Sequence, residues 1–250
     1  MTTAVQDEPI PAATVVVMRE RRGGAPELLM LERSAAMRFA GGALVFPGGR
    51  IDPGDHALAA LMGAAGDAAK IAAIREAIEE AGVAVGMQTA PAADELTKVR
   101  AALHAGATLG EVIGSERLDL AALAPFARWV PRGVTHRIFD TLFYLARMPE
   151  DAPEPSVDAT ENSRMAWMTA AEVLAAAEEG RATIIFPTRR NLERLARFGS
   201  FADAVADAAA HPIRTVTPWI ETRDGVEHLC IPEDLGYPIT AEPVRQVRRA

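Results

Sequence analysis

Within REAIEEAGV, residues 75–83, three acids crowd onto one turn: Glu76, Glu79 and Glu80. At about 100° per residue they fall within an arc of about 100°, while Ile71, Ile74 and Ile78 point the other way. Like charges three and four residues apart cost an isolated helix roughly 0.2 to 0.5 kcal/mol per pair. The spacing therefore predicts either a solvated surface helix or one whose acids are compensated by cations. The preceding loop, FPGGRIDPGD (46–55), favours the second reading. Its glycines permit positive φ and close backbone approach, which can lay carbonyls and amides beside the acidic face. Hard divalent cations take such oxygen ligands, and Mg²⁺ prefers a few carboxylates plus substrate phosphates to a closed protein cage. Arg75 adds a guanidinium able to orient the carboxylates, and Gly82 stands where the chain leaves the helix.

These residues resemble the box of the Nudix hydrolases, G-x5-E-x7-R-E-U-x-E-E-x-G-U, with U aliphatic. Its second half is matched by Arg75, Glu76, Ala77, Glu79, Glu80, Gly82 and Val83. The first half departs from it: Gly49-x5-Asp55 carries Asp for Glu, and 19 residues rather than seven separate Asp55 from Arg75. Asp67 stands instead at the family's acid-to-arginine spacing, so both Asp55 and Asp67 are candidates for the box acid. Upstream, Arg33, Ser34, Arg38, Gly42 and Phe46-Pro47-Gly48-Gly49 are similar, in register, to the signature of the family's coenzyme A diphosphatases. HRIFDTLFYLARMP (136–149) and FPTRRNLERL (186–195) are similar to the subgroup with an enlarged box.

The resemblance implies an α+β fold, an α/β/α sandwich with a mixed sheet between helices. It also implies metal-dependent hydrolysis of a nucleoside diphosphate linked to another group. Coenzyme A or an acyl-coenzyme A would give 3′,5′-ADP and the phosphopantetheine; ADP-ribose or a dinucleotide is the alternative substrate, and a silent nucleotide-binding domain the alternative class. On this reading Glu76, Glu79 and Glu80, with the Gly49 carbonyl, hold Mg²⁺ or Mn²⁺, and Arg75 orients them. Glu79 is the candidate base, with Asp158 and Glu161 of a later loop as alternatives. Phe46 and Gly48 belong to the substrate site. Arg33 and Arg38 suit phosphate, since guanidinium pairs bidentately with it. His136 and Arg137 are weaker phosphate candidates, and Trp129, Trp167 and Trp219 read as core before they read as adenine platforms. Asp140 reads as an arginine partner, and Cys230 as packing.

The elements that must place these groups alternate irregularly. ATVVVMRE (13–20), ELLMLER (27–33), ALVF (43–46), 126–131, 141–147 and MAWM (165–168) read as strands. Residues from about 67 to 82 and 94–104 read as helix, and 169–180 opens with the capping box Thr169/Glu172. Pro187 to about Ala210 is mostly helical, and 214–231 reads as a hairpin about Asp224-Gly225. The organisation expected is a loose stretch over 1–12, a hydrolase domain over 13–184, and a helical and hairpin extension over 185–250 packed on it. That extension is a candidate cap or homodimer interface. With 49% hydrophobic residues the chain can bury a sizeable core, and its formal charge of −8 opposes binding to nucleic-acid phosphates or anionic membranes. One cysteine and no secretory pattern in MTTAVQDEPIPAA make the cytoplasm the expected compartment.

Overall fold

The computed structural model describes residues 8–35, 40–131, 138–157 and 162–247. In chain order the elements are β1 (Ile10–Arg19), β2 (Glu27–Arg33), β3 (Leu44–Val45), β4 (Gly48–Arg50), α1 (Pro53–Leu61), α2 (Ala68–Ala81), α3 (Ala93–His104) and α4 (Leu109–Val112). There follow β5 (Ala124–Trp129), β6 (Phe139–Arg147), β7 (Asn162–Thr169), α5 (Ala170–Glu178), α6 (Phe186–Leu195) and α7 (Phe201–Ala210). The last are β8 (Thr215–Val216), β9 (Trp219–Arg223), β10 (Val226–Cys230), β11 (Ala241–Pro243) and α8 (Val244–Val247).

Strands β1 to β8 form one mixed sheet whose main path runs β3-β2-β1-β6-β5-β8, with β4 paired to β1 and β7 to β2. β1 runs parallel to β6 and antiparallel to β2 and β4. Its continuous apolar run is what a strand buried on both faces requires. Ala13, Val15 and Val17 face one core with α1 to α4, and Val16 and Met18 face the other with α5 to α7. The expected mixed sheet between helices is the architecture found.

Several boundaries move for reasons that lie in pairing. β1 begins at Ile10, not at 13, because Ile10 to Ala12 pair with Phe139 to Thr141 of β6. Residues 10–12 are therefore not loose. β7 begins at Asn162, well before MAWM, since its polar first residues pair with Arg33 and Glu32 at the end of β2. The segment after Gly49 is not simply a loop: Asp52 and Asp55 form a capping box that starts α1, with Pro53 at the first helical position. In α2, Ile71, Ile74 and Ile78 are fully buried, and Gly82 ends the helix in the left-handed region at φ 62°. The Asp224-Gly225 hairpin forms between β9 and β10, both turn residues having positive φ as this turn demands. Pro218 separates β9 from β8, which instead extends the main sheet beside β5.

The C-terminal elements share the second core. Leu192, Leu195, Ala204, Ala208, Leu229, Ile231, Leu235 and Tyr237 pack with Phe126, Trp129 and Phe186. Trp129 Nε1 donates to Tyr237 Oη at 2.9 Å, and that hydroxyl donates to Asn191 Oδ1 at 3.0 Å. Trp129 is thus core, as expected, and Cys230 is buried packing. Tyr237→Phe should cost about 1 to 2 kcal/mol by weakening this buried chain of hydrogen bonds. Denaturant unfolding should show one earlier transition; two separated transitions would mean that the C-terminal region unfolds independently.

Candidate active site

β4 threads between β1 and the acidic face of α2, and it can do so because it begins Gly48-Gly49. A Cβ on Gly48 would stand 2.5 Å from the Ala13 carbonyl oxygen, and one on Gly49 would collide with the Glu76 carboxylate. The glycines serve close approach, not unusual φ.

Arg75 is the hub beneath them. Its Nε and Nη2 donate to the two oxygens of Asp55 at 3.1 and 3.0 Å, and Nη2 also reaches the Arg50 carbonyl at 2.8 Å. Its Nη1 donates to Glu76 Oε1 at 2.9 Å and to Glu79 Oε2 at 3.0 Å. Asp55 is only 2% exposed and also accepts from the Asp52 amide at 2.8 Å, so the capping box of α1 is what aims it at Arg75. Asp67 pairs instead with Lys70, at 3.2 Å, on the first turn of α2. Of the two candidate box acids, Asp55 is the one brought to the arginine.

Glu80 is 5% exposed; Gly48 N donates to its Oε2 at 2.9 Å and Asn162 Nδ2 to its Oε1 at 3.3 Å. The end of the helix is held by Arg100, whose Nε and Nη2 donate to the carbonyls of Glu79 and Glu80 at 2.8 and 3.0 Å, and whose Nη1 donates to Ser156 Oγ. A cation on the last carbonyls complements the helix dipole. The acidic face is therefore packed under β4 and is not a solvated surface.

Burial pushes Glu76 up to about 8, against the pull of Arg75 and with help from Glu80 and Glu79. Burial likewise raises Glu79, again opposed by Arg75. Burial disfavours the charge on Arg75, but Asp55, Glu76 and Glu79 together raise its pKa. Over the interval from the ordinary carboxylate range up to about 8, the folded metal-free chain holds a proton on Glu76 that the unfolded chain has released. Its contribution to stability should then fall as pH rises through that interval. Thermal unfolding in EDTA should show this slope, and Glu76→Gln should reduce it; an unchanged slope would place its origin elsewhere.

Oxygen donors of this kind suit a hard divalent cation, whose charge would oppose the burial, and the neighbouring Glu80 and Glu79, that raise Glu76. Among the described residues, however, no three His, Cys, Asp or Glu side chains stand as a preformed metal cluster. Glu76 and Glu79 are turned to Arg75, and Glu80 to Gly48 and Asn162.

Other expected residues fare differently. Arg33 lies at the end of β2, where its amide donates to the Ala43 carbonyl and its carbonyl accepts from Gly42, closing the neck of the loop between them. Arg38, His136, Arg137, Asp158 and Glu161 lie outside the described residues. Phe46 corrects the expectation of a substrate contact: its side chain is 3% exposed and taken up by the second core. Asp140 holds Arg128 at 2.6 Å, as expected of an arginine partner. Trp167 lies under the Arg19 guanidinium, 4.3 Å from its ring centre, and Trp219 is exposed on β9. Asn162 and Arg100 were not legible: each is a single polar residue with no local pattern, and each meets α2 from a distant element.

The NUDIX domain model matches residues 8–186. The chain is 26% identical over 219 residues to "Putative nudix hydrolase 7" of Caenorhabditis elegans, covering 84% of this chain and 69% of that one. It superposes on the crystal structure of a NUDIX hydrolase from Alicyclobacillus acidocaldarius with a TM-score of 0.68 and 26% identity, covering 80% of this chain and 96% of that one. Fold, site and these likenesses define a hydrolase that acts on pyrophosphate bonds. The chain belongs to the Nudix family.

Proposed function

We propose that this hydrolase cleaves the pyrophosphate of coenzyme A or an acyl-coenzyme A with Mg²⁺ or Mn²⁺, releasing 3′,5′-ADP and the corresponding phosphopantetheine. The observation that carries this is the register from Arg33 through Gly42 to Phe46-Pro47-Gly48-Gly49, which runs directly into the strand lying on Glu76 and Glu80. The enlarged box belongs to the same reading: residues 53–67 supply α1 and a short 3₁₀ turn between β4 and α2.

In this reading Glu76, Glu79, Glu80 and the Gly49 carbonyl would hold the cation. A bound divalent ion would neutralise phosphate oxygens and favour ionisation of the attacking water. Glu79 takes the proton of that water, whose oxygen attacks one phosphorus while the bond to the bridging oxygen breaks. Arg75 keeps Glu76 and Glu79 in place, and Arg33 and Arg38 pair with phosphate oxygens of the substrate. The burial of Phe46 limits the FPGG contribution to backbone, with Gly48 and Gly49 shaping the floor. Among the described residues no helix is long and apolar enough to cross a membrane. Cytoplasmic residence and a homodimer built through residues 185–250 belong to the proposal.

The test is cleavage of coenzyme A, acetyl-coenzyme A, ADP-ribose and NADH with Mg²⁺, Mn²⁺ or EDTA, with products identified by mass. Metal-dependent 3′,5′-ADP from coenzyme A is the expected result. A clear preference for ADP-ribose or a dinucleotide would reassign the substrate while leaving the roles on α2 intact.

A further inference from the structure

β9, β10 and β11 form a second, three-stranded sheet in the order β11-β10-β9. Leu229 on β10 and Glu242 on β11 are paired across the ladder and turn the same face to the domain: Leu229 enters the second core, and Glu242 meets Arg190 of α6 at 2.9 Å. Ile220 pairs with Leu229 and so lies on that face too, yet it is 59% exposed, while Trp219 on the other face is 44% exposed. β9 therefore overhangs the domain with an uncovered apolar side chain on each face. Among the described residues no strand pairs with its outer edge.

That edge also presents hydrogen-bonding groups. Arg223 and Val226 flank the two-residue turn, which makes them a hydrogen-bonded pair; alternation along the ladder then directs the N–H and C=O of Thr222 and Ile220 away from β10. Proteins blunt such edges with proline, bulges or charged side chains, above all lysine. β11, at the opposite edge, ends in Pro243 and passes directly into α8. β9 has no proline or lysine between Trp219 and Arg223, and it pairs with β10 without a bulge. Its two charges, Glu221 and Arg223, are of opposite sign and stand 3.3 Å apart.

We infer that β9 is the contact strand of the homodimer: it pairs antiparallel with β9 of a second copy about a two-fold axis through Thr222. The inference rests on the homodimer proposed for residues 185–250 and is independent of the substrate. Charge selects both the partner and the register. An axis through Thr222 puts Glu221 of each copy opposite Arg223 of the other, so the edge is complementary to itself. An axis through Glu221 would instead set two carboxylates against each other. About Thr222 the two threonines form a hydrogen-bonded pair, each donating its N–H to the other's carbonyl. Trp219 then falls opposite Gly225 of the second copy, where an indole can cover a residue without a side chain. Two sheets of three strands become one of six, and neither copy keeps a bare β9 edge.

Sedimentation velocity of the full chain over a range of concentrations, with thermal unfolding of each variant alongside, tests this. Wild type should sediment as a concentration-dependent dimer. Thr222→Pro removes an N–H that the β9–β10 hairpin does not use, and should raise the dissociation constant of the dimer roughly 10- to 100-fold for the two hydrogen bonds lost. Thr222→Ala keeps that N–H and should dimerise as wild type does. Glu221→Arg and Arg223→Glu each set like charges opposite one another twice and should weaken the dimer roughly tenfold; both exchanges in one chain should restore it. Both charged positions are exposed, so these variants keep the test open if Thr222→Pro fails to fold. A monomeric wild type would overturn the inference together with the proposed homodimer. A dimer that no variant weakens would overturn the inference and leave a homodimer formed through another surface. Failure of the double exchange to restore pairing, or species larger than a dimer, would overturn the two-fold contact about Thr222.

Discussion

Glu79→Gln should lower kcat by roughly 100- to 10,000-fold, the range expected when a positioned proton acceptor is removed. The substitution keeps the length of the side chain and one acceptor oxygen, so the contact with Arg75 Nη1 at 3.0 Å can persist in weakened form. What disappears is the carboxylate charge, and with it both the capacity to take a proton from water and one oxygen donor for a cation. Folding should survive, because burial already raises the pKa of this carboxylate and the charged form is the disfavoured one. Single-turnover and steady-state rates on the cleaved pyrophosphate, measured beside thermal unfolding, check the prediction. If the rate falls less than tenfold in a folded variant, the base must be sought elsewhere. If only the metal requirement rises, Glu79 is a ligand and not the base.

Arg75→Ala should have the largest effect on stability, a loss of about 3 to 5 kcal/mol, because it strands buried carboxylates without their cation. Asp55 would lose both of its guanidinium bonds, and Glu76 and Glu79 their shared nitrogen. Arg75→Lys should not restore the loss: one ammonium cannot serve Asp55 bidentately and also reach two glutamates and the Arg50 carbonyl. Lowering pH should favour the alanine variant relative to wild type, since protonation of the stranded acids removes their mutual repulsion. Denaturant unfolding across pH checks this. Asp55→Ala should cost less in the Arg75→Ala background than alone, the coupling expected of groups in direct contact. Equal costs in both backgrounds would show that the pair is not energetically linked and that α1 is held to α2 by other contacts.

The two variants separate chemistry from architecture on a single helix. Glu79 lies on the edge of the packed face and keeps some access to solvent, whereas Arg75 and Asp55 are enclosed. Activity should therefore track the first and folding the second.

Much of this site was legible in the sequence because its determinants are local. The period of Ile71, Ile74 and Ile78 sets which side of α2 is buried, and residues three and four apart necessarily bring Arg75, Glu76, Glu79 and Glu80 onto neighbouring turns. Gly82 ends the helix as its freedom at positive φ allows, and Thr169/Glu172 and Asp224-Gly225 form the cap and the turn their spacing predicts. The irregular alternation of strands and helices also pointed to a mixed sheet with helices on its faces, and that is the sheet found.

What only the tertiary structure decided depends on contacts between residues far apart in the chain. Spacing favoured neither Asp55 nor Asp67; the capping box of α1 and the burial of Arg75 selected Asp55. The resemblance put Phe46 in the substrate site, yet its side chain, just past the end of β3, follows that of Leu44 into the second core. Asn162 carries no periodic signal and meets Glu80 only because β7 pairs with β2, next to the strand that Arg33 ends. A helix can be read from its own residues because its hydrogen bonds span one turn, but the partners of its outward side chains are chosen by the sheet on which it packs.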